Sequence, residues 1–228
     1  MTLPGPLAGV ILLIDALITV SIGVVILKRN INETLNQLIS IALFSFTGYL
    51  CFRALVFLLP LSMLSLFDLF RDLSLTGAII ASFLGGLSGL YAYKGLEFIK
   101  QIKVVGTLIP LTIIAIIVGN LNDHIVYNSQ LDMLNNQTSL FGMIGVFIIP
   151  LVLMSIAAIS YFATFLTIEP ENPMHKKALI LPIGLMIITL GIAYSAIIAA
   201  IGYPPNILTY LGDVFFITGS VFLFFAFR

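Results

Sequence analysis

Three ionisable residues lie inside long apolar runs, and their chemistry depends on whether they meet. Arg53 lies in the run LCFRALVF, Asp15 in LLIDA and Asp213 in LGDV. A guanidinium in hydrocarbon costs about 2.5–3.5 kcal/mol on insertion scales unless a partner or water compensates it. A carboxylate is a suitable partner, because arginine can donate two parallel hydrogen bonds to it. The three residues therefore predict a polar site inside an apolar environment.

The composition indicates an integral membrane protein. Of the 228 residues 60% are hydrophobic and only 9% are charged, whereas soluble domains carry about 25% charged residues. The net charge is zero, so the chain has no excess of basic residues that would indicate a nucleic-acid partner. The lipid bilayer is the expected surrounding. The single cysteine, Cys51, excludes a disulfide within the chain.

Seven apolar runs approach the roughly 20 residues that a helix needs to cross a bilayer. They predict an all-α fold, a seven-helix transmembrane bundle that forms one domain over residues 1–228. The predicted helices cover about 7–27, 36–59, 74–93, 104–121, 140–167, 178–201 and 206–227.

The basic residues predict the orientation of these helices, because cytoplasmic loops are enriched in lysine and arginine. One side of the predicted bundle has only Arg71. The other side carries Lys28, Arg29, Lys94, Lys100, Lys103, Lys176, Lys177 and Arg228. We therefore expect a multi-pass protein of the cell membrane, with its N-terminus outside and its C-terminus in the cytoplasm.

The predicted helices place the three ionisable residues at a similar depth in the membrane. At a rise of 1.5 Å per residue, Asp15, Arg53 and Asp213 all fall roughly 9–12 Å below the outer boundary. Three tyrosines should surround them. The predicted polar cluster is Asp15, Arg53, Asp213, Tyr49, Tyr194 and Tyr210.

The charges of this cluster leave more than one interpretation open. One carboxylate would neutralise Arg53, and a second would leave an excess negative charge. The second acid would then take up a proton, lie in water, or bind a cation or a cationic ligand group. A purely structural contact that fixes helix packing explains the cluster equally well.

Two further patterns concern the third helix. After Pro60, the polar residues Ser62, Ser65, Asp68 and Asp72 recur at helical spacing and predict a short amphipathic helix on the outer surface. Within the third helix, small residues at spacings of four allow a close approach of helix backbones. These residues are Ala81, Gly85 and Gly89.

The run GGLSG at 85–89 resembles the GxSG motif of rhomboid intramembrane proteases, which implies Ser88 as nucleophile. That chemistry needs a histidine within hydrogen-bond reach of the serine. The only histidines, His124 and His175, fall in predicted loops. We therefore expect no enzyme and no catalytic residue.

Seven helices with an outer N-terminus also resemble microbial rhodopsins, which implies a retinal bound to a lysine four residues after Asp213. Ile217 occupies that position, and the predicted helices contain no lysine well inside the membrane. No pair of histidines or cysteines lies there to hold haem or an iron–sulfur cluster. We expect neither a cofactor nor a metal site.

The leading functional expectation is a receptor-like sensory or ligand-binding module with a polar site around Arg53 in the outer leaflet. Its ligand would be a small molecule of unknown identity. Because little of the sequence lies outside the predicted helices, such a module would act through a cytoplasmic or membrane partner protein. The alternatives are a small membrane transporter or channel, and a non-catalytic structural subunit of a membrane complex.

Overall fold

The computed structural model describes residues 5–60, 63–121, 123–128, 133–172, 175–201 and 211–227. The helices are α1 (Gly5–Arg29), α2 (Thr34–Leu58), α3 (Leu64–Lys94), α4 (Leu96–Ile99), α5 (Ile102–Leu121), α6 (Leu140–Met143), α7 (Ile149–Leu166), α8 (His175–Ile201) and α9 (Leu211–Phe227). A π-helical turn, Ile144–Ile148, joins α6 to α7. Strands β1 (Asp123–Asn128) and β2 (Met133–Thr138) pair as an antiparallel hairpin between α5 and α6.

Six helical segments of the described chain are long and apolar enough to cross a membrane. These segments are Leu7–Arg29, Thr34–Leu58, Leu66–Lys94, Ile102–Leu121, Phe141–Leu166 and His175–Ile201. α9 is also apolar but shorter, with 17 residues. The prediction of a helical, membrane-type architecture is confirmed, and a seventh crossing by α9 stays a prediction.

Six helices form a closed ring in the order α1, α2, α3, α7, α8 and α9, and α9 returns to α1. Its interior is packed with apolar side chains, among them Leu43, Met154, Leu185 and Phe216. α5 lies beside the ring, against α3, α6 and the π-helical turn. Much of its remaining surface consists of exposed isoleucines such as Ile113 and Ile117, as expected of a helix that faces lipid.

The predicted surface helix before the third span is wrong. α3 runs without interruption from Leu64 to Lys94 and includes Asp68 and Asp72. Arg71 is buried and donates from Nε to Asp72 Oδ1 at 3.1 Å, so the polar residues are paired along the helix itself. No proline or glycine interrupts the first three turns, and the helix therefore continues into the apolar run. Ser62 lies outside the described residues.

The small residues of α3 meet α7. A Cβ atom added at Gly89 would lie 2.9 Å from Ala157 Cα, which shows that the two backbones are in direct contact there. At Gly85 the nearest atom to such a Cβ is Met154 Sδ at 3.5 Å, an ordinary van der Waals distance. The close approach therefore occurs at Gly89 rather than along the whole stripe.

Candidate functional site

An ion pair joins α2 to α9 near one end of the ring. Arg53 Nη2 lies 2.9 Å from Asp213 Oδ1 and 3.3 Å from Asp213 Oδ2. Arg53 belongs to the last two turns of α2, and Asp213 belongs to the first turn of α9. The Asp213 side chain is 10% exposed and that of Arg53 is 29% exposed. The acid is therefore almost enclosed, whereas part of the Arg53 side chain remains accessible.

Tyr49 completes the contact from one turn earlier on α2. Residues four apart lie on the same face of a helix, and Arg53 Nη1 donates a hydrogen bond to the hydroxyl oxygen of Tyr49. The guanidinium carbon is 5.6 Å from the centroid of the Tyr49 ring, within the range of a cation–π contact. Arg53 thus contacts both the carboxylate of Asp213 and the phenol of Tyr49.

An aromatic layer lies next to this contact, toward the interior of the ring. The Tyr49 ring stacks on Phe46 at a centroid distance of 5.4 Å and meets Phe216 edge-on at 6.1 Å. Phe216 follows Asp213 by three residues and therefore shares its face of α9. The sequence analysis missed both phenylalanines, although their spacing of three from Tyr49 and Asp213 was the available signal.

In the described part of the structure, Asp15 of α1 makes no hydrogen bond to Arg53. The Asp15 side chain is buried, with 1% of its surface exposed, and its carboxyl group lies beside the hydroxyl of Ser220 on α9. Neither carboxyl oxygen of Asp15, nor Ser220 Oγ, makes a well-formed hydrogen bond with any described residue. Thr19, one turn along α1, donates its hydroxyl to the backbone carbonyl of Asp15 at 2.8 Å.

Of the two remaining predicted tyrosines, Tyr194 belongs to the described residues. The Tyr194 ring lies 6.1 Å from Phe215, which is on a different face of α9 from Asp213. Tyr210 lies outside the described residues. The structure therefore brings together Arg53, Asp213 and Tyr49 of the predicted cluster, and Asp15 forms a second polar position nearby.

Ser88, the residue of the protease-like motif, is buried at the contact of α3 with α7. It donates to the backbone carbonyl of Gly85 at 2.8 Å and accepts from the Tyr161 hydroxyl at 3.0 Å. This arrangement links two helices of the ring. Among the described residues, no group of three or more histidine, cysteine or acidic side chains is placed to hold a metal ion.

The arrangement of these sites must be interpreted from its own geometry. No protein-family model matches the chain, and neither the curated proteins nor the solved structures contain a significantly similar match.

Proposed function

We propose that the chain is a receptor-like module of the cell membrane that binds a small molecule through the Arg53 contact and acts through a partner protein. In this proposal the 228 residues form one domain that crosses the membrane seven times. The N-terminus lies outside and the C-terminus lies in the cytoplasm, as the distribution of basic residues favours.

Two contacts of α9 support its role as the seventh crossing. At one end Asp213 pairs with Arg53 near the end of α2, and at the other end Phe227 accepts a hydrogen bond through its backbone oxygen from Arg29. Arg29 ends α1, so α9 runs alongside α1 and reaches the same side. Seventeen residues span about 25 Å at the rise of an α-helix, close to the thickness of the hydrocarbon core.

The observation that carries the proposal is the partly exposed side chain of Arg53, whose guanidinium makes a contact that joins two helices. A ligand that bears a carboxylate can compete with Asp213 for this guanidinium. Such an exchange would weaken the contact between α2 and α9. Binding of the ligand would then change the packing of these two helices. In this proposal, the change at the helix interface is passed on to a partner protein.

The test is thermal unfolding of the protein in lipid nanodiscs with a panel of small carboxylic acids and their uncharged amides. A ligand that binds only the folded state raises the unfolding temperature. We expect at least one acid to do so in the wild type, but not its amide. Arg53→Gln should abolish the effect, whereas Lys100→Gln, in an exposed segment, should preserve it. A panel without effect, or an effect that persists in Arg53→Gln, contradicts the proposal.

The buried acid at Asp15 supports a small transporter or channel as a second candidate function. Ionisable residues inside membrane proteins often line ion or proton pathways. Flux of protons or solutes through reconstituted liposomes, lost in Asp15→Asn, would favour this candidate over a receptor. Recovery of the chain only as part of a larger membrane complex, without ligand binding or flux, would favour a structural subunit.

A further inference from the structure

We infer that Asp15 and Ser220 form a proton-binding site between α1 and α9, in which Asp15 is the neutral acid and donates its proton to Ser220 Oγ. This site is separate from the Arg53 contact and does not depend on the proposed ligand. It assigns one of the three fates that the sequence leaves open for the second acid.

Two facing groups without well-formed hydrogen bonds carry the inference. Asp15 on α1 and Ser220 on α9 are each 1% exposed, and the Asp15 carboxyl lies beside the Ser220 hydroxyl. Within the described residues, neither has a hydrogen-bond partner of normal geometry. Buried polar groups in folded proteins are nearly always satisfied. Two such groups in contact therefore indicate a hydrogen bond between them. A proton on the Asp15 carboxyl group provides this bond, because the protonated acid donates to Ser220 Oγ.

The charges around Asp15 favour the neutral acid. α1 packs mainly against α2 and α9. The ionisable groups on these helices that lie near Asp15 are Tyr49 on α2 and Asp213 on α9. Arg53 is engaged with Asp213 and Tyr49, so it does not compensate a second carboxylate. The negative charge of Asp213 repels another negative charge at Asp15.

The set of oxygen ligands favours a proton over a metal cation. Hard cations in proteins take about six oxygen ligands or more. The described side chains at this position offer the two carboxyl oxygens of Asp15 and the hydroxyl of Ser220. Thr19 is one turn away, and its hydroxyl donates to a backbone carbonyl. The site is thus too poor in oxygen for a cation, whereas a proton needs only one donor oxygen and one acceptor.

The proton also contributes to the closure of the ring. With it, a hydrogen bond links α1 to α9 inside the apolar interior. Without it, a carboxylate remains in a nearly water-free position with Ser220 as its single described donor. Release of the proton should therefore loosen the contact of α1 with α9, independently of any ligand at Arg53.

The test is infrared spectroscopy of the protein in nanodiscs, with ¹³C-labelled aspartate to separate its carboxyl bands from those of glutamate. We expect the carbonyl band of a protonated aspartic acid at neutral pH in the wild type, and its loss in Asp15→Asn. Asp15→Asn should keep the unfolding temperature of the wild type, because asparagine is uncharged and can donate to Ser220. In Ser220→Ala the band should remain but move to higher frequency, since the carboxyl group loses its acceptor.

Three results overturn the inference. They are the absence of a protonated band at neutral pH, a band that Asp15→Asn leaves unchanged, and a band that sodium ions remove at constant pH, which would assign a cation instead. If Asp15→Asn does not fold, Ser220→Ala decides the question, and a band that does not move in this variant contradicts the inference. A failure of the carboxylic-acid panel at Arg53 would leave all these outcomes unaffected.

Discussion

Arg53 and Asp213 are separated by 160 positions in the chain, but their side chains approach to 2.9 Å. The contact lies where α9, the last described helix, closes the ring beside α1 and α2. Arg29, at the end of α1, donates to the backbone oxygen of Phe227 at the opposite end of α9. Two arginines from the first two helices therefore hold both ends of the last one.

The Arg53–Asp213 pair should behave as a coupled unit. Removal of one partner leaves the other charge uncompensated in a largely enclosed position, which costs about 3–5 kcal/mol for a buried pair. Because Arg53 is 29% exposed, we expect a value near the lower end for Arg53→Leu and for Asp213→Leu. The double variant should be more stable than either single variant, since no unpaired charge remains.

The measurement is the free energy of unfolding of the four proteins in the same nanodiscs, analysed as a double-mutant cycle. Lys176→Leu is a control for loss of a cationic side chain from the exposed start of α8. If the effects of the two single substitutions simply add, the residues are not coupled and the contact does not hold the helices together.

The Tyr49 hydroxyl should stabilise the contact separately from its ring. Tyr49→Phe removes the acceptor of the Arg53 hydrogen bond but keeps the stacking on Phe46 and the edge-on contact with Phe216. We expect a loss of about 1.5 kcal/mol, the lower value for a hydrogen bond to a charged group. Tyr49→Leu should lose more, because the aromatic contacts also disappear.

Thermal unfolding of the two variants checks this order. The Asp213→Leu background provides the control, because Arg53 is then released from its carboxylate and its orientation toward Tyr49 is no longer fixed. Equal effects of Tyr49→Phe in both backgrounds would mean that the hydroxyl does not act through the ion pair.

The Arg53–Asp213 contact could be predicted because a membrane interior offers few partners. Hydropathy located the helices, and the residue counts placed both side chains at a similar depth. The same count failed for Asp15. It lies beside Ser220, seven residues beyond Asp213 on α9 and roughly 10 Å deeper at the rise of a helix. Counting residues gives a depth only for upright helices with known ends, and it contains no information on tilt or rotation.

The position of α5 beside the ring also could not be predicted, because nearly every face of this helix is apolar and hydropathy cannot rank its neighbours. The continuous α3 was missed for a related reason. The polar spacing that includes Asp68 and Asp72 predicts a helix on the outer surface, although Asp72 is paired with the buried Arg71 within α3. A charged residue indicates a water-exposed surface only if no oppositely charged side chain is close enough to pair with it. The sequence alone does not show whether such a side chain is present.

The contact of α3 with α7 should depend on Gly89 and not on Gly85. In Gly89→Ala the new methyl group would lie 2.9 Å from Ala157 Cα and 3.0 Å from Ala157 O, so the helices must separate. We expect a loss of about 1–3 kcal/mol from this overpacking. Gly85→Ala meets only Met154 Sδ at 3.5 Å and should be neutral or slightly stabilising.

Both substitutions gain the same helix propensity, about 1 kcal/mol for glycine to alanine, so their difference reports the packing alone. Unfolding temperatures in nanodiscs provide the comparison. Equal stabilities of the two variants would show that the α3–α7 contact does not depend on Gly89.

The Arg29–Phe227 contact should be specific to Arg29 and not a general effect of positive charge. Arg29→Gln removes the hydrogen bond to the last turn of α9, whereas Lys28→Gln removes the same charge from the neighbouring position. A cation near a helix C-terminus contributes about 0.3–1 kcal/mol at an exposed site. We expect Arg29→Gln to lower the unfolding free energy by about this amount more than Lys28→Gln.

The two variants also separate packing from orientation, because each removes one basic residue from the last turn of α1 and so changes the positive-inside bias equally. Hydrogen exchange of the backbone amides in the last turns of α9 should become faster in Arg29→Gln only, since this helix end loses its link to α1. Faster exchange in both variants would mean that the loop charge, rather than the contact with Phe227, orders the end of α9.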